Sequence, residues 1–283
     1  MAKSMTGREY ATPFSMLHAA MLLGQKTRLA KFDKAIRQIV KPNDYVVDIG
    51  TGSGVLAIMA AKAGARKITG IDINQESIEY AKQAAALNGV EDRIEFVEKH
   101  VLDFIPDERA DVVICEMLSS ILLIEQQVQA SYHAVENILK PDGLIIPQNA
   151  TVFIVPVESP VMVDRFSFEQ LQFPSVVQTV MSDSAKDLAD LMVLHEFDLT
   201  NSASDYSIDK TLQFSIINNG VIHGLVGLFE SELYKDIKLN MEDGWKQLFL
   251  PLQEPFRVTT GDKFSVRVAY TPGISNSLII EHL

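Results

Sequence analysis

Two kinds of hydrophobic spacing divide the chain. Up to Pro147, short aliphatic runs alternate with stretches whose apolar residues recur at helical spacing. The runs at 45–49, 67–72, 93–98, 111–115 and 144–146 predict strands, and 55–63, 75–88 and 125–139 predict helices. Such alternation builds a parallel sheet covered on both faces by helices. Beyond Pro147 the helical pattern thins. The runs at 212–217, 224–229, 237–239, 245–251 and 263–270 are short and β-prone, with turn residues such as Asn218-Asn219-Gly220 and Thr260-Gly261-Asp262 between them. That pattern predicts an antiparallel barrel or sandwich. The expected class is α/β, with one domain over 1–147 that includes N-terminal helices and a β-barrel-like domain over 148–283. Residues 161–190 fit neither pattern.

Composition narrows the partners. At 283 residues with 47% apolar content, the chain can bury a sizeable core. Its formal charge of -12 disfavours a nucleic acid backbone as partner and suits a basic substrate. The one cysteine, Cys115, rules out an internal disulfide and fits a reducing compartment. No apolar run has the length of a membrane span. Residues 14–24 could pass for a signal-peptide core, but they contain His18 and run on into Gln25-Lys26-Thr27-Arg28, so a cytoplasmic protein is expected. The histidines and carboxylates have no metal-ligand spacing.

The chemistry begins at Val46-Val47-Asp48-Ile49-Gly50-Thr51-Gly52-Ser53-Gly54, at a strand-to-helix junction. Glycines at alternate positions let the backbone turn sharply and a ligand approach closely. A dinucleotide fingerprint would need glycine where Val55 stands. The acidic-x-G-x-G-x-G form instead resembles the first motif of the S-adenosylmethionine-dependent methyltransferases, which implies a Rossmann-like sheet and that cofactor. Asp72 ends the second strand, where a carboxylate can accept hydrogen bonds from ribose hydroxyls. Asp48, Gly50, Gly52, Gly54 and Asp72 are the candidate cofactor residues. By the same resemblance His100 and Val101, after the third strand, fall where related enzymes contact adenine.

The fourth strand runs into Cys115-Glu116-Met117-Leu118-Ser119-Ser120-Ile121-Leu122-Leu123-Ile124-Glu125. The carboxyl ends of strands carry the chemistry of open α/β sheets, so Glu116 and Glu125 are candidate catalytic residues if the segment loops back. Cys115 reads as a small core residue. The spacing of the glutamates resembles the double-glutamate loop of the protein arginine methyltransferases. So do Ala60-Ala61-Lys62-Ala63-Gly64-Ala65, the stretch from Leu139-Lys140-Pro141-Asp142-Gly143 to Pro147, His223-Gly224 with Gly227 and Phe229, and Trp245-Lys246-Gln247. The resemblance covers roughly 45–270. It implies methyl transfer to a guanidinium nitrogen held by two carboxylates, an arginine in a protein or peptide as acceptor, and a homodimer whose arm falls, shortened, in 161–190.

The chain also departs from that family. Its loop is aliphatic and serine where the family carries Trp, Gly and Tyr, and Asp243-Gly244-Trp245 has glycine at the place of a family histidine. The family's aromatic motif is not recognisable over 8–12. The arginine that meets the cofactor carboxylate aligns with Thr27, leaving Arg28, one residue on, as the candidate or as an exposed helix charge. Trp245 reads as barrel core ahead of substrate platform. These departures leave two alternatives open: a methyltransferase for a small amine or other metabolite, and a catalytically silent scaffold that retains the cofactor.

Calorimetry is expected to give micromolar-range binding of S-adenosylmethionine and its demethylated product. Asp72→Ala should weaken both, since it removes two charge-assisted hydrogen bonds worth roughly 1.5–3 kcal/mol each. Absence of heat with either ligand, or binding of NAD instead, would end this assignment.

Overall fold

The computed structural model describes residues 15–283; the segment 8–12 and the start of 14–24 lie outside them. Two helices, α1 (Met16–Leu22) and α2 (Lys26–Ile39), lead into β1 (Tyr45–Ile49). There follow α3 (Val55–Ala63), β2 (Lys67–Asp72), α4 (Gln75–Leu87), β3 (Ile94–Glu98), β4 (Ala110–Cys115), α5 (Gln127–His133) and β5 (Leu139–Ile146). All five strands pair in parallel, in the order β3-β2-β1-β4-β5. Every residue of β1 is buried, as a central strand covered on both faces requires. The strand order reverses between β1 and β4. A crevice opens beyond the carboxyl ends of strands at such a switch point. Gly50 follows β1 and Glu116 follows β4, so the two candidate motifs flank that crevice.

The second half is antiparallel. β6 (Asn149–Glu158) leads through α6 (Pro160–Asp164) to a small hairpin, β7 (Ser167–Phe168) and β8 (Leu171–Gln172). Next come β9 (Gln178–Val180), β10 (Lys186–Asp187), β11 (Met192–Asp198), β12 (Ile208–Ser215), β13 (Gly220–Tyr234), β14 (Ile237–Leu239), β15 (Gln247–Val258), β16 (Lys263–Tyr270) and β17 (Ile279–His282). One sheet runs β10-β6-β13-β15-β9, with β11 beside β6 and β14 beside β13; a second runs β12-β16-β17. A single apolar cluster joins the halves: Phe32 and Ile36 of α2 belong to it together with Ile114, Phe229, Leu250 and Tyr270.

Several elements depart from the sequence reading. The helix expected over 125–139 is confined to α5 and one wider turn, Ala134–Ile138, and Glu125 precedes it. Lys140-Pro141-Asp142-Gly143, which looks like a turn, is carried within β5 past a bulge opposite Ala110 and Val112. An edge strand tolerates Pro141 because its missing N–H costs no ladder bond there. The region 161–190 contains α6, the hairpin and two short strands, and it leaves Phe168, Leu171 and Phe173 exposed, Phe168 by 66%.

The packing of β13 against β15 leaves no room at Gly224: an added Cβ would lie 2.5 Å from the Leu250 carbonyl oxygen and 2.7 Å from the Phe249 ring. Because one of these neighbours is backbone and cannot rotate away, Gly224→Ala should cost roughly 1–3 kcal/mol. A thermal melt should read this as a midpoint several degrees lower, and an unchanged midpoint would show that the sheets yield.

Candidate active site

The loop after β1 takes its shape from one buried carboxylate. Asp48 is 1% exposed and accepts hydrogen bonds from the Thr51 hydroxyl (2.6 Å) and the Ala57 amide (3.1 Å). It thereby ties the loop to the first turn of α3. Burial drives its carboxyl up to about 7, against the pull of those two donors. With almost no surface of its own, Asp48 braces the loop from beneath and does not line the crevice. Gly50, Gly52 and Gly54 all take positive φ (67, 51 and 75°). At Gly54 a side chain is also excluded by space, since a Cβ would come within 2.9 Å of the Ala81 Cβ.

Asp72, at the end of β2, accepts hydrogen bonds from the Gly52 amide and the Asn74 amide, both 2.9 Å away. It therefore joins the glycine loop to the start of α4 and remains only partly buried. His100 caps the short 3-10 turn Val101–Asp103, accepting from the Leu102 amide through Nδ1 (3.1 Å), and Val101 is buried in the same apolar cluster as Ile49, Ile71 and Phe104.

On the other side of the crevice, the segment after β4 does loop back. Ser119 Oγ accepts from the amides of Ile124 and Glu125, each 3.3 Å away, and the Met117 amide donates to Gln127 Oε1 (2.8 Å). These bonds fold the ten-residue segment onto the start of α5. Leu118, Ile121, Leu122 and Leu123 turn inward and belong to the main apolar core; only Ile124 of the aliphatic run is exposed. The aliphatic character that sets this loop apart therefore serves packing and not the lining of the crevice.

Arg28 is where sequence reasoning falls furthest short. It is not an exposed helix charge: at 5% exposure, its guanidinium forms an ion pair with Glu116 and accepts the field of Glu125. It lies 4.1 Å from the centroid of the Trp245 ring and donates to Gln25 Oε1 at 3.0 Å. Desolvation lowers its pKa to about 10, and the carboxylates oppose that shift, so it remains a cation at neutral pH. Glu125 is partly exposed, yet protein surrounds most of it; this desolvation pushes its carboxyl up to about 7, and Arg28 pulls the other way. Trp245 is held edge-on by Phe229 (5.1 Å) and donates from Nε1 to the Leu118 carbonyl at 2.8 Å, so it serves the core and the site together.

Two further contacts, neither legible in the sequence, secure this arrangement. Gln25 Nε2 donates to the Gly244 carbonyl (3.2 Å), and a Cβ on Gly244 would lie 2.5 Å from the Gln25 side chain. The space beside the missing histidine is thus filled by a glutamine that also holds Arg28. Lys31 Nζ pairs with the buried Asp243 at 2.6 Å, a second tie from α2 to the same turn. Cys115 is fully buried and its thiol is pushed up to about 12, which leaves it a core residue.

The chain is similar to known proteins along most of its length. A family model described as ribosomal protein L11 methyltransferase (PrmA) matches residues 30–150, and one described as PRMT5 oligomerisation domain matches 149–271. An uncharacterized protein of Methanocaldococcus jannaschii is 35% identical over 202 residues, spanning 71% of this chain and 73% of that protein. An arginine N(omega)-methyltransferase of Streptomyces achromogenes subsp. streptozoticus is 26% identical over 275 residues, or 90% and 76% of the two chains. Among solved structures, the Trypanosoma brucei PRMT1 enzyme–prozyme heterotetrameric complex with AdoHcy superposes with a TM-score of 0.77 at 21% identity, over 93% of this chain and 92% of that one, and so shares its fold. These matches, on a chain whose parallel sheet carries a glycine loop at its switch point, place it in the protein arginine N-methyltransferase-like family of S-adenosylmethionine-dependent methyltransferases.

Proposed function

We propose that the protein methylates a guanidinium nitrogen held between Glu116 and Glu125. The observation that carries this reading is Arg28: the crevice already accommodates one guanidinium, on Glu116, over Trp245 and in the field of Glu125. A site that desolvates and neutralises its own arginine has the charge and flat aromatic surface to receive another. The residues also fit the cofactor. The positive-φ backbone of Gly50 and Gly52 would border its aminoacyl portion, Asp72 its ribose, and His100 with Val101 its adenine edge. Arg28 would be shared between its carboxylate and Glu116.

Bound S-adenosylmethionine supplies an electrophilic methyl group on its sulfonium. The chain supplies the rest. Guanidinium is a poor nucleophile because it stays protonated and delocalised. Two carboxylates on one side draw its positive charge toward themselves and leave the remaining nitrogen richer in electrons and fixed in direction. Glu125, with its carboxyl near neutrality, holds the cation when ionised and can take the proton that the nitrogen sheds. The small-amine alternative draws on the aliphatic loop and on the missing histidine; the inward packing of Leu118, Ile121, Leu122 and Leu123 removes the first of these supports. Similar proteins are named for methylation of arginine and of protein arginine alike. A peptide or protein arginine is our reading for this chain.

A homodimer belongs to the same proposal. Phe168, Leu171, Phe173 and Val176 form an exposed apolar group on the segment 161–190, of the kind that self-association covers. Light scattering should give twice the 31.4 kDa chain mass. A monomer mass at high micromolar concentration would count decisively against it.

The catalytic reading is tested with labelled methyl donor, arginine-rich peptides and a panel of small amines. Glu116→Gln and Glu125→Gln each leave a buried cation half-neutralised and should slow arginine methylation by about a thousandfold, with cofactor affinity intact. In the wild type the rate should rise with pH through about 7, as Glu125 ionises, and Glu125→Gln should lose that limb. Robust labelling of another nucleophile that survives both substitutions would sink the guanidinium reading.

A further inference from the structure

The segment that joins the two glutamates is strained where nothing in its sequence calls for strain. Ile121 (φ 52, ψ 17) and Leu122 (φ 54) are consecutive non-glycine residues in the left-handed region. A Cβ makes that conformation costly, so it persists only where the surroundings over-determine it. The surroundings here come from the antiparallel half of the chain. Tyr270, at the end of β16, donates its hydroxyl to the Ile121 carbonyl at 2.6 Å, and the Gly273 amide donates to the Leu122 carbonyl at 2.9 Å. Ser120 Oγ donates to the Lys246 carbonyl, and Trp245 reaches Leu118 as described. The Ile121 side chain fills the notch at Gly227, where an added Cβ would lie 2.4 Å from its Cγ2.

We propose that Tyr270 is a positioning residue for methyl transfer: its hydroxyl pins the left-handed turn at Ile121–Leu122 and thereby sets how Glu116 and Glu125 face each other. This rests on the reading that those glutamates hold the acceptor. Tyr270 is 3% exposed and Ile121 is fully buried, so water cannot stand in for the bond. Burial also raises the pKa of the phenol, which remains a donor at any pH at which the protein works. Without that donor the turn keeps its backbone strain and loses one of the bonds that hold it. The relaxation available to it moves Glu125, which follows three residues later, while Glu116 stays anchored on β4.

The test is Tyr270→Phe, which keeps the ring and removes the oxygen. Hydrogen exchange of the amides over 121–125 should accelerate by about tenfold or more while those of β1 and β4 stay as in the wild type. The single tryptophan, Trp245, is bonded to the same segment, so its emission should change. Affinity for the demethylated cofactor should stay within about twofold, and kcat should fall by about tenfold or more. The acceptor is whichever nucleophile the wild type labels, arginine peptide or amine. Unchanged kcat with unchanged exchange over 121–125 overturns the proposal. So does a loss of kcat matched by equal loss of cofactor affinity, which would mean that the hydroxyl only stabilises the fold. The paired glutamate variants separate the two ideas: if they are impaired and Tyr270→Phe is not, the positioning role alone fails, whereas if they keep full activity the glutamate reading fails and takes this one with it.

Discussion

Removing a guanidinium and a carboxylate from water costs more than most contacts return, and the pair persists only when geometry and neighbours compensate. Arg28 and Glu116 meet that condition through contributions from four separate places. Glu116 comes from the end of β4, Arg28 from α2, Glu125 from the far end of the loop, and Trp245 from the turn before β15. Because each group is needed to neutralise or cover another, the pair fixes the helix, the sheet and the antiparallel half relative to one another at a single point. Gln25, just before α2, and Lys31, within it, extend the same constraint to the turn around Gly244.

Burial sets the charge of the acidic groups around the glycine loop and the glutamate segment. Three acidic groups, Asp48, Asp72 and Glu125, are all pushed upward by burial, but their partners differ. Asp48 and Asp72 accept from a hydroxyl and an amide of the glycine loop and from amides at the starts of α3 and α4. For Glu125 it is the charge of Arg28 that offsets desolvation. It is the carboxylate whose ionisation an incoming cation would change most.

The parallel sheet was legible because buried strands declare themselves as short aliphatic runs; β1, β2, β14 and β16 have the predicted bounds. The glycine loop and Asp72 were legible for a similar reason, since their meaning lies in local spacing. β6 and β11 escaped notice, β6 because Pro156 interrupts its apolar run and is tolerated where it pairs with Leu225. The deeper failures concern partners distant in sequence. Nothing near Arg28 shows that Glu116, 88 residues on, will bury it, and nothing near Ile121 announces Tyr270, 149 residues on. Sheet position and spacing mark Glu116 and Glu125 as candidates, but the direction in which Leu118, Ile121 and Leu122 point is decided by tertiary packing.

One apolar cluster runs without a break from Phe32 to Tyr270. Two halves with separate interiors could be exchanged between proteins, each keeping its own shape. Here they share an interior, so a change on a strand of the second half is felt as a change of volume beneath the glutamate loop. Altering the acceptor preference of such an enzyme is then a problem of repacking: a new lining for the crevice must be chosen together with the side chains of β13 and β16 that lie behind it.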